Sequence, residues 1–204
     1  MITIVNYGLG NVRAFANVYK RLNIETKFAQ TAFDLIDVEK IILPGVGSYD
    51  HAMTLLNNSG MRDELDKQVL LNKVPVLGVC LGMQIMAVSS EEGKMDGLNW
   101  IEGTVKRFDS SLIPYDTKYP HMGWNTIIPM RNDFMIKDYT DKSRFYFLHS
   151  YYYECEKEEH VLTKTEYGIN FTSAINKENI YGFQYHPEKS HQNGIILLKN
   201  FAEM

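Results

Sequence analysis

The first ninety residues alternate between short apolar runs and stretches with helical spacing. The apolar runs are "ITIV", "IETKFA", "KIILPGVG" and "VPVLGV". Helical spacing follows Asn11, which is a favourable N-cap, recurs over residues 49–71 with a break at 58–60, and begins again in "MQIMAVSS". Short buried strands that alternate with helices predict an α/β fold with a central, mostly parallel sheet flanked by helices.

The second half of the chain has a different pattern. From residue 103 onward come short runs rich in aromatic and β-branched residues, namely "TVKRF", "WNTII", "RFYFLHSYYYE", "VLTKTEY", "FTSAI" and "IYGFQYH". These runs predict an antiparallel strand extension, and "GIILLKNFAEM" predicts a closing helix. No repeat or long linker divides the chain, so we expect residues 1–204 to form a single domain.

Charge and cysteine content limit the class of protein. The 204 residues carry a formal charge of −4, which gives no reason to expect nucleic acid or an anionic membrane as a partner. Two cysteines do not make a secreted disulfide framework. The start "MITIVNYGLGN" lacks the pattern of a signal peptide, and no apolar run is long enough to cross a bilayer. We therefore expect a soluble cytoplasmic protein.

One cysteine stands in a conspicuous setting. Cys80 lies between Gly78 and Gly82, where an apolar strand pattern passes into a helical pattern. A sharp strand-to-helix turn would present its thiol at the carboxyl edge of the sheet, with the backbone N–H of Leu81 nearby to hold an oxyanion. The alternative is a small buried residue, the usual fate of a free cysteine. Cys155 lacks flanking glycines and is expected to be structural.

A catalytic thiol needs a base and a group that orients it. In "FQYHPEKS", His186 directly follows an aromatic strand pattern and Glu188 comes two residues later. A plain turn at the strand end is the competing interpretation. The loop that contains Gly47, in "ILPGVGSYD", would expose backbone N–H groups suited to an oxyanion hole, although glycine-rich loops are common between strands and helices.

A nucleotide-binding interpretation is less favoured. Gly8 and Gly10 in "NYGLGNVR" suggest a dinucleotide fingerprint, but Arg13 occupies the place where that fingerprint needs a third small residue.

Taken together, the motifs carry a family resemblance. Cys80 in "GVCLGMQ" and the pair in "FQYHPEKS" resemble the triad (class I) glutamine amidotransferases. The motifs "NYGLGN", "LPGVGSY", "CLGMQ…SSEEG", "PHMGWN", "FYFLHSYY" and "HPEKS" are similar, in order, to those of the glutaminase subunits of imidazole glycerol phosphate synthase. They extend from residue 6 to residue 190.

The resemblance implies a flavodoxin-like class I glutamine amidotransferase fold and a set of roles. Cys80 would be the nucleophile, His186 the acid–base and Glu188 its orienting group, with no metal and no cofactor. Gly47 and Leu81 would form the oxyanion hole. The residues implied to bind glutamine are Gln84, Glu92, Ser150 and Tyr151.

The resemblance also implies a partner. Ammonia would pass to a (β/α)8 cyclase subunit within a heterodimer, which makes imidazole glycerol phosphate and AICAR in histidine biosynthesis. The residues implied to lie at the contact, all in "PHMGWN", are His121, Met122, Gly123, Trp124 and Asn125. His191 in "SHQNG" departs from the small-residue stretch of the family, and its role is not implied.

Three alternatives stay open at the sequence level. The same glutaminase chemistry supplies ammonia to surface-sugar amidotransferases that make acetamidino groups, and the shared motifs do not separate the two pathways well. A stand-alone cysteine hydrolase would use the same Cys80 and His186 without a partner. A noncatalytic subunit would keep the fold alone, which the intact triad pattern disfavours.

Overall fold

The computed structural model describes all residues, 1–204, as five α-helices and thirteen strands. The helices are α1 (Val12–Arg21), α2 (Tyr49–Asn58), α3 (Arg62–Asp66), α4 (Leu81–Gln84) and α5 (His191–Glu203). The strands of the first half are β1 (Ile2–Val5), β2 (Thr26–Ala29), β3 (Ile41–Gly45), β4 (Val76–Cys80) and β5 (Ser89–Ser90). Those of the second half are β6 (Gly103–Arg107), β7 (His121–Thr126), β8 (Ile128–Pro129), β9 (Arg144–His149), β10 (Tyr151–Cys155), β11 (Val161–Tyr167), β12 (Ile169–Lys177) and β13 (Ile180–Phe183).

A sheet of 11 strands runs through the molecule in the order β2-β1-β3-β4-β13-β12-β10-β6-β5, with β11 and β8 branching from β12. The strands β2, β1, β3, β4 and β13 are mutually parallel, and antiparallel pairing begins between β13 and β12. This arrangement confirms the predicted parallel sheet with an antiparallel extension. It also places β13, from the end of the chain, directly beside β4.

Two clusters of 27 buried residues each pack against the parallel strands. Neighbouring residues of β3 point to opposite sides, because Ile42 belongs to one cluster and Ile41 and Leu43 to the other. Helices α1 and α5 cover the first cluster, and α2 and α3 cover the second. Strands buried on both faces have continuous apolar sequences, as β3 does in "IIL".

The helix predicted in "MQIMAVSS" is much shorter than its pattern indicated. Helix α4 ends at Gln84, and Ser89–Ser90 form strand β5 beside β6. The carbonyl groups of the segment after α4 accept hydrogen bonds from outside any helix, with Leu98 N–H donating to Ile85 and Trp100 N–H to Met86. Tertiary contacts thus satisfy the backbone here in place of helix continuation.

The long aromatic run "RFYFLHSYYYE" is split at Ser150. Strand β9 pairs with β7 in a separate two-stranded sheet, whereas β10 pairs with β6 in the main sheet. The chain therefore turns a corner between His149 and Tyr151, and Ser150 at this corner lines the same cavity as Cys80.

None of the helices has both the length and the apolar character that crossing a bilayer requires.

Candidate active site

Cys80 ends β4 in a backbone conformation with φ 55° and ψ −112°, a region that side-chain-bearing residues rarely adopt. The flanking glycines allow the turn, because a side chain at either position would collide with neighbouring backbone atoms. A Cβ at Gly82 would overlap the carbonyl oxygen of Leu43 in β3, and one at Gly78 would lie 2.7 Å from the carbonyl oxygen of Gly82. The predicted strand-to-helix elbow is therefore present, with the thiol buried at the carboxyl edge of the sheet.

His186 and Glu188 form a buried pair beside this elbow. The Nδ1 atom of His186 lies 2.8 Å from Oε1 of Glu188, and both side chains are almost inaccessible to solvent. Burial lowers the pKa of His186, but the nearby sulfur of Cys80 and the hydrogen-bonded carboxylate of Glu188 outweigh it and raise the pKa to about 10.

The sheet topology explains how residues 106 positions apart meet. Strands β4 and β13 are parallel neighbours, with Gly182 opposite Gly78 and Phe183 opposite Val79. Cys80 and His186 follow these strands at the same edge, where ligands collect in open α/β sheets.

A cavity of about 280 Å³ opens on the thiol. Its lining includes every residue predicted for the triad nucleophile, the base, the oxyanion hole and substrate binding: Cys80, His186, Gly47, Leu81, Gln84, Glu92, Ser150 and Tyr151. Glu188 lies behind the imidazole and does not line the cavity. Gly47 adopts φ +106° after β3, and Leu81 begins α4.

Comparison with known proteins identifies the family of the chain. The family model "Glutamine amidotransferase class-I" matches residues 3–204. The chain belongs to the class-I glutamine amidotransferase family. Proteins named "Imidazole glycerol phosphate synthase subunit HisH" from Bdellovibrio bacteriovorus and from Leptospira interrogans are each 50% identical to it over 204 residues, covering 100% of both chains.

Solved structures agree on the fold. A crystal structure of a glutamine amidotransferase superposes with a TM-score of 0.76 at 19% identity, covering 99% of this chain and 97% of the other. The PurLQS structure from Thermotoga maritima gives a TM-score of 0.76 at 18% identity, with the same coverage. At such identities the likeness concerns the fold alone.

Within this amidotransferase, two of the predicted glutamine-binding residues are already engaged. One carboxylate oxygen of Glu92 accepts the backbone N–H of Tyr49 at 2.9 Å, and burial raises the pKa of Glu92. The amide nitrogen of Gln84 donates to the carbonyl oxygen of Tyr151 at 3.0 Å and to Oε1 of Gln184 at 2.9 Å. The side-chain oxygen of Gln84 is therefore the group that remains for a ligand.

Sequence reasoning missed three residues at this site. Gln184 is fully buried, with its Nε2 atom 3.7 Å from the sulfur of Cys80. His149 and Lys189 line the cavity. Gln184 comes directly after β13, which ends at Phe183, and precedes His186 by two residues. A lone glutamine in an aromatic run carries no signal that marks it for the site.

In the segment "PHMGWN", the residues after Pro120 belong to strand β7, which pairs with β9 so that His121 lies opposite His149. The side chain of Met122 is 63% exposed and that of Trp124 is 39% exposed, whereas His121 is buried. His191, whose role the sequence left open, lies edge-on to Trp124 with ring centroids 5.0 Å apart.

Cys155 lies in β10, as expected for a structural residue, and burial raises its pKa to about 12.

Proposed function

We propose that this chain is the glutaminase subunit of an imidazole glycerol phosphate synthase, which hydrolyses L-glutamine and passes the ammonia to a cyclase subunit in histidine biosynthesis. The chemistry is supported by the strained Cys80 beside the His186–Glu188 pair at the mouth of one cavity. The pathway is supported by the full-length similarity to proteins named as HisH subunits.

The reaction begins with attack by the Cys80 sulfur on the carboxamide carbon of glutamine. Because its pKa is about 10, His186 already holds a proton at neutral pH, and the C–S bond forms as the sulfur attacks, giving a tetrahedral intermediate. His186 then donates this proton to the amide nitrogen, the C–N bond breaks, and ammonia leaves a glutamyl thioester. Water, deprotonated by His186, attacks the thioester and the C–S bond breaks, which leaves the sulfur free and His186 protonated, as at the start. The net change is glutamine plus water to glutamate plus ammonia.

Glu188 orients this chemistry. Its carboxylate accepts the proton on Nδ1 of His186 at 2.8 Å, which leaves Nε2 to exchange protons with the sulfur and the substrate. The negative charge also stabilises the imidazolium that is present before attack and forms again when His186 deprotonates water. The backbone N–H of Leu81, with one from the Gly47 loop, stabilises the oxyanion.

The cavity provides groups for the rest of glutamine. The free carboxylate oxygen of Glu92 binds the substrate α-ammonium, and the oxygen of Gln84 adds a polar contact. Ser150 and Tyr151, at the corner between β9 and β10, hold the α-carboxylate end.

The partner is a (β/α)8 cyclase subunit that covers β7. Met122 and Trp124 provide exposed apolar side chains, Gly123 gives close backbone approach, and Asn125 follows at the end of the motif. A second cavity of about 480 Å³ lies along β7, and Pro120 lines both this cavity and the one on Cys80. The proposed contact surface thus adjoins the point at which ammonia is released.

The decisive assay measures glutamate release from glutamine by the purified chain alone, and by the chain with the imidazole glycerol phosphate cyclase of the same organism and its nucleotide ligand. We expect activity near zero alone and a strong rise with the loaded partner. The Cys80→Ala complex should lose glutamate release but keep ammonia-dependent synthesis. High activity without a partner would instead indicate an independent hydrolase, and no rise with a competent cyclase would indicate another ammonia acceptor.

A further inference from the structure

Two buried histidines take no part in the proposed triad. His121 in β7 and His149 in β9 face each other across the small sheet, with Nδ1 of His121 3.0 Å from Nε2 of His149. The ring of His121 is stacked against Phe147 and Tyr167, with centroids 4.7 and 4.1 Å away. Burial lowers the pKa of both histidines, that of His121 to about 4, so both are neutral at neutral pH.

The hydrogen-bond partners of the two imidazole rings determine which nitrogen of each ring carries the proton. The Nδ1 atom of His149 lies 2.7 Å from the carbonyl oxygen of Tyr151, which can only accept, so Nδ1 carries the proton and Nε2 is the acceptor. His121 must then donate from Nδ1. Its Nε2 accepts from the amide of Asn125 at 3.2 Å, and the same amide nitrogen donates to the carbonyl oxygen of Glu166 at 2.8 Å.

The chain of hydrogen bonds continues from Tyr151 to the nucleophile. The same Tyr151 oxygen accepts from Gln84, whose second amide proton goes to Oε1 of Gln184. This bond orients the Gln184 amide so that its nitrogen, a donor, faces the sulfur of Cys80 at 3.7 Å. The groups linked from the surface strand inward are therefore Asn125, His121, His149, Tyr151, Gln84, Gln184 and Cys80.

We propose that His121 is a positioning residue for the glutaminase reaction, because it fixes the His149 tautomer and thereby the Tyr151 carbonyl and the Gln84–Gln184 donor pair at the Cys80 sulfur. The inference rests on the proposed function, since it assigns a role within that reaction. It also connects the nucleophile to β7, the strand whose exposed side chains form the proposed partner surface. A single buried donor atom, Nδ1 of His121, carries the effect.

Three substitutions distinguish the effect of the Nδ1 donor of His121 from the effect of how its ring packs. His121→Phe keeps a ring between Phe147 and Tyr167 but removes both nitrogens. His121→Asn places an amide nitrogen close to the position of Nδ1, where it can donate to His149. His121→Gln places its amide closer to the position of Nε2, on the side of Asn125. His51→Asn, at an exposed position of α2, is the control for loss of a histidine elsewhere.

Each variant is assayed as the complex with the cyclase at saturating partner and nucleotide ligand. Rates are normalised to the fraction of Cys80 labelled by an electrophilic glutamine analogue, so that unfolded protein does not contribute. We expect the kcat of His121→Phe and His121→Gln to fall tenfold or more with KM changed less than threefold. His121→Asn should recover kcat to within threefold of the unmodified complex, and His51→Asn should match that complex.

A second readout does not depend on glutamine or the partner. The rate at which iodoacetamide alkylates Cys80 in the isolated chain, followed by mass spectrometry at that residue, should change at least threefold in His121→Phe and His121→Gln and stay near the unmodified rate in His121→Asn. Unchanged kcat in His121→Phe, or recovery by glutamine and not by asparagine, overturns the inference. If the unmodified complex releases no glutamate, the proposed function fails, and the alkylation rates still decide whether His121 positions Cys80.

Discussion

Cys80 holds a backbone conformation that suits glycine better than any other residue. Its φ and ψ of 55° and −112° are the mirror image of an extended conformation, which costs a residue with a Cβ about 1–3 kcal/mol. The close contact between Gly82 and the Leu43 carbonyl keeps the turn in place. The molecule therefore gives up stability at the residue that is proposed to perform the chemistry.

A glycine at position 80 should relieve this strain. We expect Cys80→Gly to be more stable than Cys80→Ala by about 1 kcal/mol, because the relieved strain exceeds the roughly 0.5–1 kcal/mol that glycine loses through chain flexibility. Urea denaturation of the two variants measures the difference. Equal or lower stability for Cys80→Gly would show that the turn is unstrained.

The buried carboxylate of Glu188 should control the protonation of His186. In Glu188→Gln the negative charge is lost while Cys80, the larger of the two groups' effects, remains, so the pKa of His186 should fall below about 10 without reaching its ordinary value, and kcat should fall about 10²–10⁴-fold. NMR titration of the imidazole nitrogens measures the pKa, and glutamate release by the complex measures kcat. A pKa that stays near 10 in the variant would contradict this role.

The same raised pKa links stability to pH. The folded value of His186 lies above the unfolded value, so its contribution to the free energy of unfolding is fully present below about pH 6.5 and is lost as the pH rises to about 10. In Glu188→Gln the folded pKa of His186 is lower, so its contribution to the free energy of unfolding should be lost completely at a lower pH.

Single residues of the site were predictable from the sequence where neighbouring glycine or proline residues indicated a turn. Glycines flank Cys80, and a proline follows His186. Gln184, His149 and Lys189 carry no such signal, because their positions at the cavity arise from the pairing of β13 with β4 and from the corner at Ser150. Polar residues inside aromatic strands look alike in sequence whether they face solvent or a site.

At the scale of elements, the strand and helix order of the first half followed from hydrophobic periodicity, and Asn11 caps α1 as its sequence position indicated. The exception was α4. Its pattern is helical, but the backbone of residues 85–90 pairs with the segment around Leu98–Trp100 and with β6, contacts that periodicity does not encode.

The elbow between β4 and α4 requires a glycine at position 82, whereas Gly60 has free space for a side chain. We expect Gly82→Ala to destabilise the fold by about 3 kcal/mol or more, because the methyl group would overlap the Leu43 carbonyl oxygen in β3. Gly60→Ala is the matched control. Gly60 adopts φ +73° with open space around its Cβ position, so only backbone strain of about 1 kcal/mol should appear. Similar denaturation midpoints for the two variants would show that α4 can shift away from β3.

At the scale of the whole molecule, the separate two-stranded sheet of β7 and β9 is the feature that the sequence predicted least well. The resemblance implied that "PHMGWN" contacts a partner, but the burial of His121 and the exposure of Met122 appear only when β7 pairs with β9. Exposed apolar side chains also occur at the β2 edge of the main sheet, where Phe33, in the short 3-10 helix after β2, is 80% exposed. Exposure alone therefore does not identify the partner surface.

Position relative to the cavity separates these two surfaces. Pro120, immediately before β7, lines the cavity on Cys80, whereas Phe33 follows β2, an edge strand of the main sheet, and lines neither that cavity nor the one along β7. Met122→Asp would place a charge at the centre of the proposed contact, so we expect its affinity for the cyclase subunit to fall at least tenfold. Phe33→Asp makes the same change elsewhere and should leave that affinity unchanged. Calorimetric titration of each variant with the cyclase measures both values, and equal weakening by the two variants would place the contact outside β7.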